Sequence, residues 1–333
     1  MKRRTAGLVL AIVSIGCCVL FAEWVLGVAQ ILEVPPQLHR GHPRRGYQLR
    51  AGFDGISKFG IPLHVNSLGL RSPEIAVPKM AGQKRVLVLG DSVTFGSGVP
   101  EEQSFSRRLE STLRQQLACP VEVVNAGVSG YGTVEEADYF THEGLEVEPD
   151  VVLIYYVEND NVSVTHFEGA VASFLKDQVV YRSNLVNAVL YAWRLSRWKW
   201  QARAAGGDRA AYAAEQQAWD SRPGTAASLA ALHEIASVAQ SHGMRVILAN
   251  YPNSLHDRSL DTVRDELLRN AAAAGGMTLV DVAPALIPYR DRDIAVSKTD
   301  LHPNGFAHGL IAEALLPAVR DALACPLRSS AAR

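Results

Sequence analysis

Cysteine is scarce, with 4 in 333 residues. That excludes a disulfide-dense small scaffold, and the absence of paired Cys-x-x-Cys spacings excludes a zinc ribbon or finger. A charge excess of either sign is missing too. With 33 basic against 34 acidic side chains the formal net charge is -1, so the chain lacks the basic surplus that a dedicated nucleic-acid binder sets against phosphate. Nucleotide fingerprints are absent: GDSVTFGSG, beginning at Gly90, has no Lys-Ser/Thr ending for a P-loop and does not fit GxGxxG. Long hydrophobic runs are lacking except for one, at the N-terminus.

That run extends from Ala6 to Ala22, behind Lys2, Arg3 and Arg4, and resumes after Glu23 through Trp24, Val25 and Leu26. A helix over it reaches the roughly 20 residues needed to cross a bilayer. The basic start sets the N-terminus in the cytoplasm and the rest of the chain outside it. An uncleaved signal-anchor over residues 1–28 is expected, because the run is long and no small-x-small site follows it cleanly; a cleaved secretory signal shares the same basic start and apolar stretch. A lipoprotein site at Cys17 is disfavoured, since Ser14 stands where such sites carry a branched apolar residue. Either reading puts the body of the protein in an oxidising space, periplasmic or extracellular. There Cys119 and Cys325, each within LACP, either pair across two neighbouring helices or remain two buried thiols.

Residues 29–83 divide into a linker and a lead-in. The stretch 33–60, rich in Pro, Gly, His and Arg, reads as a juxtamembrane linker without its own core. Residues 1–50 hold seven Lys or Arg against two Glu, charges expected to be solvated or to meet anionic lipid or a charged glycan. From residue 84 the pattern turns regular. Apolar runs at 86–89, 121–124, 151–156, 246–249 and 278–282 predict strands, and the intervening periodicity predicts helices over 103–118, 133–145, 224–242, 257–274 and 305–323. Strands alternating with helices argue for a parallel sheet covered on both faces, over residues 84–324, with a tail at 325–333. Chemistry then gathers at the carboxyl ends of the strands. Residues 162–222 break the alternation as a helical insertion. Its stretch YAWRLSRWKWQAR, from Tyr191, interleaves Trp with Arg and Lys. It reads either as a cationic helix on a membrane or substrate groove, or as a helix whose stripe Val186, Val189, Trp193 and Trp200 packs onto the domain.

Four short blocks carry chemistry. The first strand ends in Gly90-Asp91-Ser92, which puts a hydroxyl beside a helix N-terminus, where the helix dipole favours developing negative charge. The second ends in Asn125-Ala126-Gly127-Val128-Ser129-Gly130-Tyr131-Gly132, whose glycines let backbone N–H groups approach a ligand. The third ends in Glu158-Asn159-Asp160: the Asn amide can donate to an oxyanion, and Asp160 can brace the turn. Before the last helix comes Asp300-Leu301-His302-Pro303-Asn304, in which His302 suits a general base held by a nearby carboxylate. Each block alone is an ordinary turn or cap; their conjunction in this order is not.

GDS, NAGVSG, END and DLHPN in this order resemble the blocks of the SGNH (GDSL-like) hydrolase superfamily over about residues 84–324, and Asn66 to Arg71 resembles the lead-in of membrane-anchored bacterial members. The resemblance implies a three-layer α/β/α flavodoxin-like fold, with Ser92 as nucleophile and His302 as base. It also implies an oxyanion hole from the Ser92 and Gly130 backbone N–H groups and the Asn159 side chain. Two positions depart from the family pattern: Val157 replaces the usual Gly of the third block, and Thr299 stands where the acid usually lies, three before the histidine. Asp300 is therefore expected to orient His302, with Asp293 in reserve. The expectation is a serine ester hydrolase acting on an acyl or acetyl ester of an envelope carbohydrate or lipid, membrane-attached through its N-terminal helix. An O-acyltransferase with the same residues and a non-catalytic binding protein of the same fold are the alternatives. No cofactor or metal is called for; His308 has no third ligand at suitable spacing.

Overall fold

The computed structural model describes residues 2–29, 35–57, 60–162, 179–204, 221, 224–252, 261–289, 291–298 and 300–328. Helix α1 spans Lys2–Ala29. Its apolar stretch Ala6–Val28 has 23 residues, enough to cross a bilayer by length and composition, and is not buried inside the protein.

The segment read as a linker is folded. Strands β1 (His39–His42) and β2 (Gly46–Leu49) form one antiparallel hairpin, and β3 (Asp54–Ile56) and β4 (Pro62–His64) a second. Leu38, Leu49, Leu63 and Val65 bury themselves against Phe95, Val128 and Tyr131 of the main domain. Two of the basic residues counted before position 50, Arg44 and Arg45, likewise find acidic partners in the protein. Arg45 is fully buried and donates to Asp138 at 2.8 Å and to Glu143 at 2.6 Å, while Arg44 donates to Asp138 at 2.7 Å. Removing a charged side chain from water is tolerated only with such pairing, so these contacts and the apolar cluster together hold the hairpin in place.

The main domain then proceeds through β5 (Lys84–Gly90), α2 (Ser92–Phe95), α3 (Phe105–Gln116), β6 (Val121–Asn125), α4 (Thr133–His142), β7 (Val151–Tyr156), α5 (Asn184–Ala204), α6 (Thr225–Ser241), β8 (Arg245–Asn250), α7 (Thr262–Ala274), β9 (Thr278–Asp281), the short strands β10 (Ala295–Ser297) and β11 (Asp300–Pro303), and α8 (Gly305–Leu323). Five strands pair in parallel in the order β6-β5-β7-β8-β9. Successive side chains of a strand face opposite ways. Val86 and Val88 of β5 accordingly join the cluster with α3 and α8, whereas Leu87 and Leu89 join the one with α4, α6 and α7. Both faces being covered explains why these strands are continuous apolar runs. The helix expected over 257–274 is seen from Thr262 onward, its first residues lying outside those described. The helix expected to reach residue 145 stops at His142, and a 3-10 turn follows over Gly144–Val147. Most of the insertion 162–222 also lies outside the described residues.

Helices α3 and α8 cover the same face, and their ends are bonded. Cys119 and Cys325 form a disulfide, which decides between the two readings of these thiols. The start of the expected tail is pinned there too: Ala118 N donates to Pro326 O and Arg328 N to Gln116 O, both at 2.8 Å. A crosslink closing a loop with a sequence separation of 206 restricts the unfolded chain strongly. Replacing both cysteines by Ser is expected to lower unfolding free energy by about 2–5 kcal/mol. Chemical denaturation of oxidised and reduced protein measures this, and coincident curves would contradict it.

Candidate active site

Ser92 is the first residue of α2, two positions past the end of β5, the strand between β6 and β7. Asp91 caps this helix, its Oδ1 accepting from Val93 N at 2.8 Å, and Ser92 Oγ lies 3.0 Å from Asp91 Oδ2. The far side of the turn is clamped by Arg71 of the lead-in. Its buried guanidinium donates to Phe95 O and Gly96 O at 2.6 Å and to Val99 O at 2.8 Å, and lies over the Phe95 ring. Carbonyls at the end of a helix lack internal partners, and a cation there satisfies both the hydrogen bonds and the dipole. Desolvation lowers the Arg71 pKa to about 10, leaving it cationic at neutral pH. Asn125 fixes the neighbouring turn, donating to Thr94 O at 2.7 Å and accepting from Gly127 N at 2.9 Å. Gly127 has no room for a side chain: a Cβ there would lie 2.3 Å from Phe95 N.

His302 reaches Ser92 from the other end of the chain. Its Nε2 lies 2.9 Å from Ser92 Oγ, and its Nδ1 lies 2.6 Å from Asp300 Oδ1. Both residues sit on β11, where positions two apart point to the same side. That geometry lets an acid two residues before the histidine stand in for one three before it. The reserve residue Asp293 is exposed, and its backbone carbonyl accepts from Asn304. Asn304 also caps α8, accepting from Ala307 N at 3.0 Å, so the histidine leads straight into the longest helix of the main domain after α5.

Gly130 and Asn159 follow the strands on either side of β5. Tyr131 N donates to Val128 O at 3.0 Å, closing a turn in which Gly130 has φ 84°, the left-handed backbone its third position favours. Tyr47, on hairpin strand β2, donates its hydroxyl to Ser129 O at 2.6 Å, and Tyr131 donates its own to Tyr47 O. Asn159 is partly exposed, and its side-chain amide makes no hydrogen bond among the described residues. Val157, in the usual glycine position, has ordinary extended backbone (φ -124°) and gives its N–H to Asp160 Oδ2 at 2.8 Å. Asp160 thus braces this turn.

Sequence reasoning did not single out two groups near the site, Tyr47 and Glu136. Glu136 and Asp160 are buried with Asp91. Among the described residues neither oxygen of Glu136 has a hydrogen-bond partner, and the same holds for Asp160 Oδ1. Desolvation is the main cause that raises all three carboxyl groups, strongly for Glu136 and Asp160, where repulsion from neighbouring carboxylates adds to it, whereas hydrogen bonds from Val93 and Ser92 partly offset it at Asp91. His308 is also buried, its Nδ1 accepting from Phe105 N at 3.2 Å, and burial depresses its pKa to about 3. Among the described residues no cluster of three or more His, Cys, Asp or Glu could hold a metal ion.

The GDSL-like lipase/acylhydrolase family model matches residues 88–310. The chain belongs to this family. No curated protein matches the sequence. Solved structures similar to this member of the family include a putative lipolytic protein of the G-D-S-L family from Desulfitobacterium hafniense (17% identity, 70% of this chain and 98% of that one, TM-score 0.42). Others are an acetyl-xylooligosaccharide esterase from Geobacillus (15%, 72% and 96%, TM-score 0.44) and a two-domain esterase active on acetylated mannans (16%, 75% and 52%, TM-score 0.45). The parallel five-stranded sheet with helices on both faces is the SGNH hydrolase fold.

The raised Glu136 carboxyl is neutral in the folded protein under conditions where it ionises in the unfolded chain. Its contribution to stability is therefore complete below its ordinary value of 4.5 and is lost as pH rises toward the elevated folded value. Glu136→Gln removes that titration. The variant is expected to melt higher than the unsubstituted protein at about pH 8, with the gap closing toward about pH 4. Calorimetry across this range tests it, and a gap that widens on acidification would refute the assignment.

Proposed function

We propose that this protein is a serine ester hydrolase with its catalytic domain outside the cytoplasmic membrane. In this reading residues 1–28 are the anchor, 29–83 the hairpins and lead-in, and 84–324 the catalytic domain. One observation carries it: the continuous contact Asp300–His302–Ser92, with distances of 2.6 and 2.9 Å. These are hydrogen-bond distances suited to proton transfer from a hydroxyl to an imidazole.

Ser92 Oγ attacks the ester carbonyl while its proton passes to His302 Nε2. Asp300 accepts from Nδ1–H, holding the tautomer and stabilising the imidazolium. The carbonyl oxygen becomes an oxyanion at the end of β5. Its donors are the backbone N–H groups of Ser92 and Gly130 and the free amide of Asn159, each worth about 3–4 kcal/mol in comparable sites. His302 returns its proton to the leaving alcohol, then activates water to release the acid and regenerate Ser92. The route uses only the chain's own groups.

The substrate class follows from placement. An active centre tethered by a single span at an envelope surface meets acyl or acetyl esters of envelope carbohydrate or lipid. An acyltransferase would use the same first half-reaction and replace water with a sugar hydroxyl.

Full-length protein in detergent is expected to hydrolyse 4-nitrophenyl acetate, with Ser92→Ala lowering kcat at least about a thousandfold and Asn159→Ala about a hundredfold. A fluorophosphonate probe should label Ser92. Retained turnover in Ser92→Ala would overturn the nucleophile assignment, and acetate transfer to an added glycan in preference to water would make the protein a transferase.

A further inference from the structure

Helix α5 starts at the outer end of the candidate membrane span and is bonded to it. Glu23, the charge that interrupts the apolar run of α1, accepts from Ser183 Oγ at 2.8 Å, Leu185 N at 2.9 Å and Asn184 Nδ2 at 3.0 Å, and also from Asn184 N. One carboxylate thus satisfies the unpaired N–H groups at the start of α5, where a negative charge is favoured. Residues 6–21 of α1 are exposed throughout, so α5 does not run back along the span.

Of the stripe expected to pack onto the domain, Val186 is half-buried but the other three residues are exposed. Val189, Trp193 and Trp200 are 60%, 55% and 72% exposed, although they recur on one side of the helix at helical spacing. Arg197 flanks this stripe, its guanidinium 5.0 Å from the centre of the Trp193 ring. The same helix carries Arg194, Lys199 and Arg203 in its sequence and no acidic residue.

We propose that α5 lies on the outer membrane–water interface, with Trp193 and Trp200 in the headgroup region and its basic residues against anionic lipid. Apolar side chains with aromatic rings on one side and cations beside them are what an interfacial helix presents to a bilayer. Continuity with α1 fixes which surface it meets, and the positive charge fixes the lipid class. The inference rests on α1 remaining as an anchor.

The test uses full-length protein with Trp24→Phe and Trp219→Phe, so that only Trp193, Trp198 and Trp200 fluoresce. It is reconstituted in vesicles of phosphatidylethanolamine and phosphatidylglycerol. Brominated lipid is expected to quench the emission at least about twofold more than aqueous acrylamide does, and replacing the anionic lipid by phosphatidylcholine should reverse that order. Protein that floats with the vesicles but is quenched by acrylamide alone overturns the inference. Protein that fails to float overturns the anchor and the inference together.

A second inference stands on a separate observation and rests on the hydrolase reading. Ser129 O and Gly130 N–H belong to one planar trans peptide and point in opposite directions. The geometry points to Tyr47 as a positioning residue: by donating to Ser129 O at 2.6 Å, it aims the Gly130 N–H at the developing oxyanion. Tyr47 is itself held among the rings of His39, Tyr131 and Tyr181. Tyr47→Phe keeps the ring and deletes the donor. It is expected to lower kcat about tenfold with KM unchanged and to weaken a boronate transition-state analogue by the same factor. Unchanged kcat, or a loss matched by KM, overturns the role; activity surviving in Ser92→Ala overturns instead the hydrolase reading beneath it.

Discussion

A hydrogen bond of 2.9 Å between Ser92 and His302 joins residues 210 positions apart, and the architecture is arranged around keeping that distance. Ser92 is held by β5 and by Arg71, which grips the carbonyls beyond it. His302 is held by β11 and by the cap of α8, and α8 is packed against α3 and bonded to its end through Cys119–Cys325. Moving α8 along the sheet by a fraction of an ångström would lengthen the contact beyond hydrogen-bond range, about 2.6–3.2 Å between heavy atoms. The disulfide therefore helps to fix the Ser92–His302 contact even though it lies at the far ends of both helices.

The sheet order decides which other groups arrive. The chain leaves β5 for β6 on one side and then crosses to β7 on the other, so the loops after β6 and β7 flank the loop after β5. This is the switch point of a doubly wound sheet, where helices depart to opposite faces and leave a crevice. Gly130 and Asn159 stand there because of topology. Their neighbours carry an electrostatic cost, since Asp91, Glu136 and Asp160 are buried beside them, and both oxygens of Glu136 and Oδ1 of Asp160 have no hydrogen-bond partner among the described residues. The raised Glu136 and Asp160 carboxyls hold their protons more tightly than free ones, which limits fixed negative charge beside the proposed oxyanion site.

What could be read from the sequence was what repeats locally. The strands declared themselves as apolar runs because both sheet faces are covered, and the helices by their period. The four blocks showed because each sits in sequence at the end of an element. The hairpins before residue 65 did not show, since their strands are three or four residues of mixed polarity. Their burial comes from distant partners, such as Asp138 for Arg45 and Ser129 for Tyr47. Glu136 falls on the buried face of α4 and looks in sequence like an exposed first-turn acid. The cysteine pairing was undecidable for the same reason: it requires knowing that α3 and α8 are neighbours. Asp300 was nameable, but its adequacy at an unusual spacing depends on β11 being extended.

The family match begins at residue 88, partway along β5. The boundary of shared sequence is therefore not the boundary of the folding unit. Arg71, both hairpins and the first half of β5 precede it, and Tyr47 and Arg71 are bonded to the turns that carry Gly130 and follow Ser92. A fragment cut by homology would keep every motif and lose the supports of two of them. The hairpin of β1 and β2 therefore offers positions at which the turn after β6 can be adjusted without altering a single residue of the signature blocks.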